Sequence, residues 1–157
     1  MTDNITIIQD TREQAALDFS GFRGVDVLRQ GLKTGDYSIV GYETAICFER
    51  KSVADLVGTL IGGHTRFLRE MERMQTFKAR YILVENTPDL LFAYCAQHGW
   101  HYKFNTIIQS LLAYAYHYRV RVRFCKDRAD MADYIVKKAR EFIREENNGK
   151  ENQGQIN

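Results

Sequence analysis

Apolar residues follow two rhythms along this chain. In the first third, short apolar runs are separated by glycines. Ile5 to Gln9 predicts a buried strand that stops abruptly at the polar stretch Asp10-Thr11-Arg12-Glu13. Val25 to Leu28, Tyr37 to Val40 and Thr44 to Lys51 predict three further strands, with Gly31, Gly35 and Gly41 marking the turns between them. From Ser52 the period becomes helical: Val53, Leu56, Val57 and Leu60 share a face until Gly62-Gly63 stops the run. A second helix is predicted from Thr65 to Phe77, with Phe67, Leu68, Met71, Met74 and Phe77 as its apolar stripe and Arg66, Arg69 and Arg73 opposite. Strands and helices then alternate. Tyr81 to Glu85 is a strand, Pro88 to Gln97 a helix, His98 to Tyr102 a loop, Phe104 to Tyr118 a helix, Val120 to Phe124 a strand and Ala129 to Arg144 a helix. The tail from Glu146 has almost nothing to bury and is expected to be disordered. The pattern therefore predicts one α/β domain over 1–145, a mixed central sheet flanked by helices, and a polar tail over 146–157.

Composition narrows the class without naming a chemistry. At 157 residues, with 45% hydrophobic and 27% charged residues and one proline, the chain is long enough for one sizeable core and reads as soluble and globular. A formal charge of +2 does not announce nucleic-acid binding, so any basic surface must come from local clustering of the 22 Lys and Arg. The first residues lack a basic segment followed by an apolar one, and no apolar run approaches the ~20 residues of a membrane span. A cytoplasmic protein without a membrane partner is expected. Cys47, Cys95 and Cys125 lie far apart in apolar segments and are expected to be buried thiols, neither disulfide-bonded nor zinc-ligating.

The strand ending in Glu49-Arg50-Lys51 carries more charge than a core strand should. Residues two apart share a strand face, so Glu49 and Lys51 point one way while Phe48 and Arg50 point the other. A turn centred on Tyr42 would pair this strand with the one beginning at Asp36 and bring that carboxylate alongside Glu49. Two hard oxygen donors open to water suit Mg²⁺ or Mn²⁺, and an adjacent ammonium could orient a water or neutralise a pentavalent phosphate. Taken alone, an Asp, then Glu-x-Lys, also fits surface salt bridges on an edge strand.

The surrounding residues resemble the XPF-type (ERCC-group) structure-specific endonucleases. Their signature is G-D, a spacer, then E-R-K-x-x-x-D, here Gly35-Asp36, Glu49-Arg50-Lys51 and Asp55, preceded by a strand ending in D-x-R-E, here Asp10-Thr11-Arg12-Glu13. The order of strands and helices is similar from about residue 5 to residue 145. DTREQ, TGDYS, ERKS-x-x-DL and the Arg- and Glu-rich segment Arg66 to Glu70 are similar to the small bacterial and phage members. The eukaryotic branch has a Gln near the position of Glu70 and a tandem helix-hairpin-helix domain after the nuclease, and these 157 residues include neither.

The resemblance implies a restriction-endonuclease-like core and a Mg²⁺- or Mn²⁺-dependent DNA endonuclease. It would hydrolyse phosphodiesters in branched DNA (flaps, forks, junctions) during repair or recombination, in the cytoplasm at the nucleoid or, if phage-encoded, in the host. The alternative is a non-catalytic DNA-binding partner subunit of the same fold. Pairing of nuclease domains in the family, with the apolar and tyrosine surface after residue 103, implies a homodimer.

Asp36 and Glu49 are then the metal ligands and Lys51 the catalytic ammonium. Asp10 is either a further metal ligand or an ordinary turn residue at a strand end. Arg12 belongs to the site as a phosphate contact or as a structural partner of Glu13. Arg50, on the opposite face, is expected to form a structural ion pair. Asp55 follows Ser52 at the spacing of a capping box and is expected to support the helix start. Arg66 is expected to touch DNA phosphate, and Arg69 and Arg73 extend that basic face unless Glu70 and Glu72 neutralise it through i, i+4 pairs. His64 is left open, and His98 and His101 read as loop residues. Tyr114, Tyr116, His117 and Tyr118 lie on a helix whose Ile107, Ile108, Leu111, Leu112 and Ala115 already mark a packing face, so core or subunit contact is expected of them, not base stacking.

Overall fold

The computed structural model of the chain describes residues 4–62 and 64–154, with side chains through residue 151. Six strands form one sheet: β1 (Ile5–Gln9), β2 (Val25–Arg29), β3 (Tyr37–Ile39), β4 (Ile46–Lys51), β5 (Ala79–Glu85) and β6 (Arg121–Cys125). Their order across the sheet is β2-β1-β3-β4-β5-β6. β1 runs parallel to β2, the β1/β3 and β3/β4 pairs are antiparallel, and β4, β5 and β6 run parallel. Parallel neighbours need long crossovers; residues 10–24 join β1 to β2 without a helix, and helices supply the other two. α1 (Val53–Gly62) and α2 (His64–Met74) join β4 to β5, while α3 (Pro88–Gln97), a 3-10 turn at His101–Lys103 and α4 (Phe104–Tyr118) join β5 to β6. α5 (Arg128–Gly154) follows β6.

The sheet is covered on both faces, so its central strands read as continuous apolar runs. On one face α5 packs Met131, Ile135, Ala139 and Phe142 against Ile7, Tyr37, Ile39, Phe48, Tyr81 and Leu83. On the other, α1 to α4 cover Cys47, Ile82 and Val84 with Leu56, Phe67, Met71 and Ile107. All three cysteines are free and buried. Among the described residues no helix is long and apolar enough to cross a membrane.

The predicted elements are all present; β1, α3 and α4 have the predicted bounds and the others have shifted ends. The chief difference lies in α5, which continues through Gly154 although the sequence predicts a helix ending at Arg144 and a disordered tail from Glu146. Burial of apolar side chains does end at Phe142 and the half-buried Ile143. The extension has no proline to interrupt it, its backbone bonds close within the helix, and Lys78 Nζ, 2.8 Å from Glu146 Oε1, ties its base to the sheet. Residues 155–157 of the predicted tail, and Gly63 of the predicted Gly62-Gly63 stop, lie outside the described residues. At the end of α4, Arg119 takes a left-handed conformation with φ of 52°.

Candidate active site

The β3/β4 hairpin builds the floor of the site. Tyr42 N–H donates to Ile39 O and Tyr42 O accepts from Ala45 and Ile46, closing the predicted turn. Gly35 enters β3 with φ of +83°, and a Cβ there would lie 3.1 Å from Phe48 O and 3.2 Å from Cys47 Cβ. Only glycine accommodates both the dihedral and the close approach. The next residue, Asp36, is held from both sides: its N–H donates to Phe48 O at 2.8 Å, and its carbonyl accepts from Asp10 N–H at 2.8 Å. Its Oδ2 accepts from Arg50 N–H at 2.8 Å, which turns the carboxylate across to β4 beside Glu49.

Glu49 and Lys51 share the face of β4 turned toward α1 and α2. The Lys51 ammonium is buried, 3.9 Å from Glu49 Oε1 and 2.7 Å from Glu70 Oε2. The Glu70 contact is an ion pair whose angles fall short of a hydrogen bond. Two grooves, of about 420 and 340 Å³, meet here, and Asp36, Glu49 and Arg66 line both. The first also contains Asp10, Arg12, Lys33, Glu70 and Arg73, so acidic residues form its floor and cations its rim. The second contains Glu13, Arg50, Lys51, Asp55 and Glu85.

The carboxylates differ in how they are neutralised. Burial, with Glu13 and Asp10 nearby, pushes the Asp36 pKa up to about 6 against the opposing Arg50 N–H. Burial and then the Asp36 charge push Glu49 up to about 8, and Lys51 compensates only in part. Asp10 behaves in the opposite way. Burial works to raise its pKa, but Leu32 N–H on Oδ1 at 2.8 Å and Arg12 Nε on Oδ2 at 2.6 Å outweigh it and hold the group below its ordinary value. The floor thus holds Asp10, whose two oxygens are both bonded, beside Asp36 and Glu49, whose charges are only partly compensated.

The remaining sequence-predicted residues fall into place around this floor. Arg50, on the other face, pairs with Glu13 at 3.5 Å and with Glu85, and also donates to Ala15 O. Ser52 Oγ accepts from Asp55 N–H at 3.1 Å, the first half of a capping box at the start of α1. Arg66 and Arg73 reach the grooves, whereas Arg69 is exposed on α2 and lines neither. His64 Nδ1 lies 3.0 Å from Tyr114 Oη, a link between α2 and α4, and His98 Nδ1 meets Tyr94 O at 2.8 Å within α3. Leu112 and Tyr116 are exposed.

Three site residues escape the sequence reading. Glu70 forms the expected i, i+4 pair with Arg66, at 3.5 Å, but is buried with its other oxygen against Lys51 because it occupies the i+3 position of the stripe Phe67, Glu70, Met71, Met74. A carboxylate inside an apolar stripe was the available signal. Glu85 ends an apolar strand and faces Arg50, a weaker signal of the same kind. Lys33 lies in a loop whose course no local pattern reveals.

The profile of the ERCC4 domain family matches residues 9–138 of the chain. Among solved structures, XPF from Aeropyrum pernix is 23% identical with a TM-score of 0.71, the match covering 96% of this chain and 71% of that one. XPF from Aeropyrum pernix in complex with DNA is 19% identical with a TM-score of 0.66, covering 90% of this chain and 66% of that one. No curated protein sequence matches the chain. The family profile runs from the end of β1 into α5 and takes in every residue that lines the two grooves, and the chain accordingly belongs to the ERCC4 domain family and has the fold of the XPF nuclease domain.

Proposed function

We propose that the protein is a divalent-metal-dependent DNA endonuclease that hydrolyses phosphodiesters at branches between duplex and single strand, in repair or recombination. The observation that carries the reading is the pair Asp36 and Glu49, two half-buried, incompletely neutralised carboxylates beside an ammonium where two grooves meet. Among the described residues no three His, Cys, Asp or Glu side chains form a ready-made metal cage. That suits Mg²⁺ or Mn²⁺, which are held by one or two carboxylates and otherwise by water and substrate phosphate. The raised pKa values of both groups support this reading, because a divalent cation between the two carboxylates would relieve their mutual repulsion and favour their ionised forms. Bound to Asp36 and Glu49, the metal would polarise a phosphate oxygen and acidify a water.

The chain's own groups do the rest. Lys51, kept in place by Glu70, holds its positive charge beside Glu49, where it stabilises charge building on the phosphate and orients the attacking water. Arg12, Lys33, Arg66 and Arg73 on the rim contact flanking phosphates. Arg69 adds to the field without reaching the groove. We read Asp10 as the support of Arg12, since both of its oxygens already accept hydrogen bonds. A solved protein of this fold in complex with DNA supports the choice of substrate, and the meeting of two grooves at one floor supports a branched one. Exposed Leu90, Phe92, Tyr102, Leu112 and Tyr116 on α3, the 3-10 turn and α4 support a homodimer through that face.

The test is cleavage of labelled linear duplex, single strand, 3′ flap, fork and four-way junction with Mg²⁺ or Mn²⁺, by the wild-type protein and by Asp36→Ala and Glu49→Ala. Each substitution is expected to abolish cutting while the circular dichroism spectrum stays native. Cutting that survives either substitution refutes the assignment. DNA binding without cleavage in either metal would instead make the chain a non-catalytic partner subunit.

A further inference from the structure

A third cleft, of about 260 Å³, opens where β5 and β6 begin, away from the floor of the active site. Its cations are Lys78, Arg80, Arg119, Arg121 and Lys138. Two of these are engaged: Lys78 lies 2.8 Å from Glu146, and Lys138 lies 2.6 Å from Glu141. Arg80, Arg119 and Arg121 have no carboxylate partner among the described residues. Arg80 Nη1 donates to Gln75 O and Oε1, at 3.3 and 3.1 Å, while its buried Nε has no acceptor. Arg121 Nη1 donates to Tyr81 Oη at 3.1 Å, and Arg119 caps α4. Glu145 is the one carboxylate of the cleft with no ion pair, against three unpaired guanidiniums. Such a concentration of arginine donors, one of them with a buried orphan N–H, suits an anion with several acceptor oxygens.

The position of the cleft identifies the anion. In the parallel register Arg80 pairs with Cys47, so Arg80 lies on the sheet face of Glu49, two residues back along the strand direction, about 7 Å. Between the two sites runs α2. Arg66 and Arg73 line the first groove, which reaches Met74. The next residue, Gln75, accepts from Arg80 and donates through Nε2 to Tyr118 O at 2.9 Å, beside Arg119. Guanidiniums thus follow one another from the active-site rim to the end of the sheet. We propose that this cleft is a second phosphodiester-backbone site, which holds the same DNA molecule away from the scissile phosphate. The assignment rests on DNA being the substrate.

The test is a double substitution, Arg119→Gly with Arg121→Gln. Both side chains are exposed, and glycine suits the φ of 52° at position 119, so the fold is retained. Fluorescence-anisotropy titrations over a range of salt would use the full chain and catalytically inert Ca²⁺, on duplexes of graded length. The variant is expected to bind long duplexes more weakly, whatever their sequence, and the slope of log K against log salt should become shallower by about 2, since each lost phosphate contact removes roughly 0.9. On duplexes too short to reach beyond the first groove its affinity should equal that of the wild-type protein. Arg80→Gln, measured in the same way, should reproduce part of the effect. An unchanged slope on long duplexes overturns the assignment of the cleft alone. Equal weakening by Lys126→Gln with Lys150→Gln, which removes the same charge elsewhere, overturns it as well. A wild-type protein that binds no DNA overturns the substrate reading and the cleft together.

Discussion

Replacing Glu49 by glutamine is expected to stabilise the metal-free protein at alkaline pH while it destroys activity. In the unfolded chain this carboxyl ionises near 4.5, but in the fold burial and the Asp36 charge hold its proton to about 8. Between those values the folded state binds more protons than the unfolded one, so stability is complete below pH 4.5 and is lost as pH rises through about 8. At about 1.36 kcal/mol per pH unit the window bounds the loss at about 5 kcal/mol. The side chain is 20% exposed, so little of this is screened away. Glutamine has no proton to lose, and Lys51 keeps Glu70 as its partner. Urea unfolding of wild type and variant should agree near about pH 5 and diverge near about pH 8.5, the variant being the more stable by a few kcal/mol. Mn²⁺ should close the gap by binding the wild-type site alone, adding about 2.7 kcal/mol at a hundredfold excess over Kd. A variant no more stable than wild type at alkaline pH would show that Lys51 already neutralises Glu49, and the argument for a cation site would fail.

Four further outcomes are expected. Lys51→Met should lower the single-turnover cleavage rate by about 10²–10³ with Mn²⁺ affinity intact, because an ammonium cannot ligate a cation; calorimetry showing a matching loss of metal affinity would make Lys51 structural. Adding Glu70→Gln should restore the stability lost with the buried partner but not the rate. Gly35→Ala should cost about 1–3 kcal/mol, since alanine is strained at φ of +83° and meets Phe48 O at 3.1 Å, and an unshifted urea midpoint would refute this. Light scattering should find a dimer for the wild-type protein and a monomer for Leu112→Glu with Tyr116→Glu; a monomeric wild type rules out the α3/α4 interface.

Local pattern sufficed wherever a residue's environment is set by its near neighbours. The helix over Phe104–Tyr118 and the helix over Pro88–Gln97 have the bounds that their periodicity and the Pro88 start predict. The placing of Asp36 beside Glu49 followed from strand parity and one turn. What escaped depends on distant segments. Asp10 acquires its second donor from Leu32, 22 residues away on the far side of β2. The pairing of Glu70 with Arg66 is legible in the i, i+4 spacing, but its burial is not: charge on a helix is assumed to face water, yet its place in the stripe aims it at Lys51 from another element. The α5 extension is illegible for the reverse reason: a search for buried faces overlooks a helical segment whose described side chains add nothing to the core.

The clamped backbone of Asp36 bears on hydrogen exchange and on how the site can adapt. β1, β3 and β4 lie inside the sheet with both faces covered, and the amides of Asp10 and Asp36 bond within that layer. Those amides are expected to exchange only through global unfolding, although the Asp36 side chain faces an open groove. The carboxylate is therefore mounted on one of the least deformable parts of the molecule. Accommodation of different DNA shapes must fall to the long, exposed side chains of Lys33, Arg66 and Arg73, which can swing over a floor that does not yield.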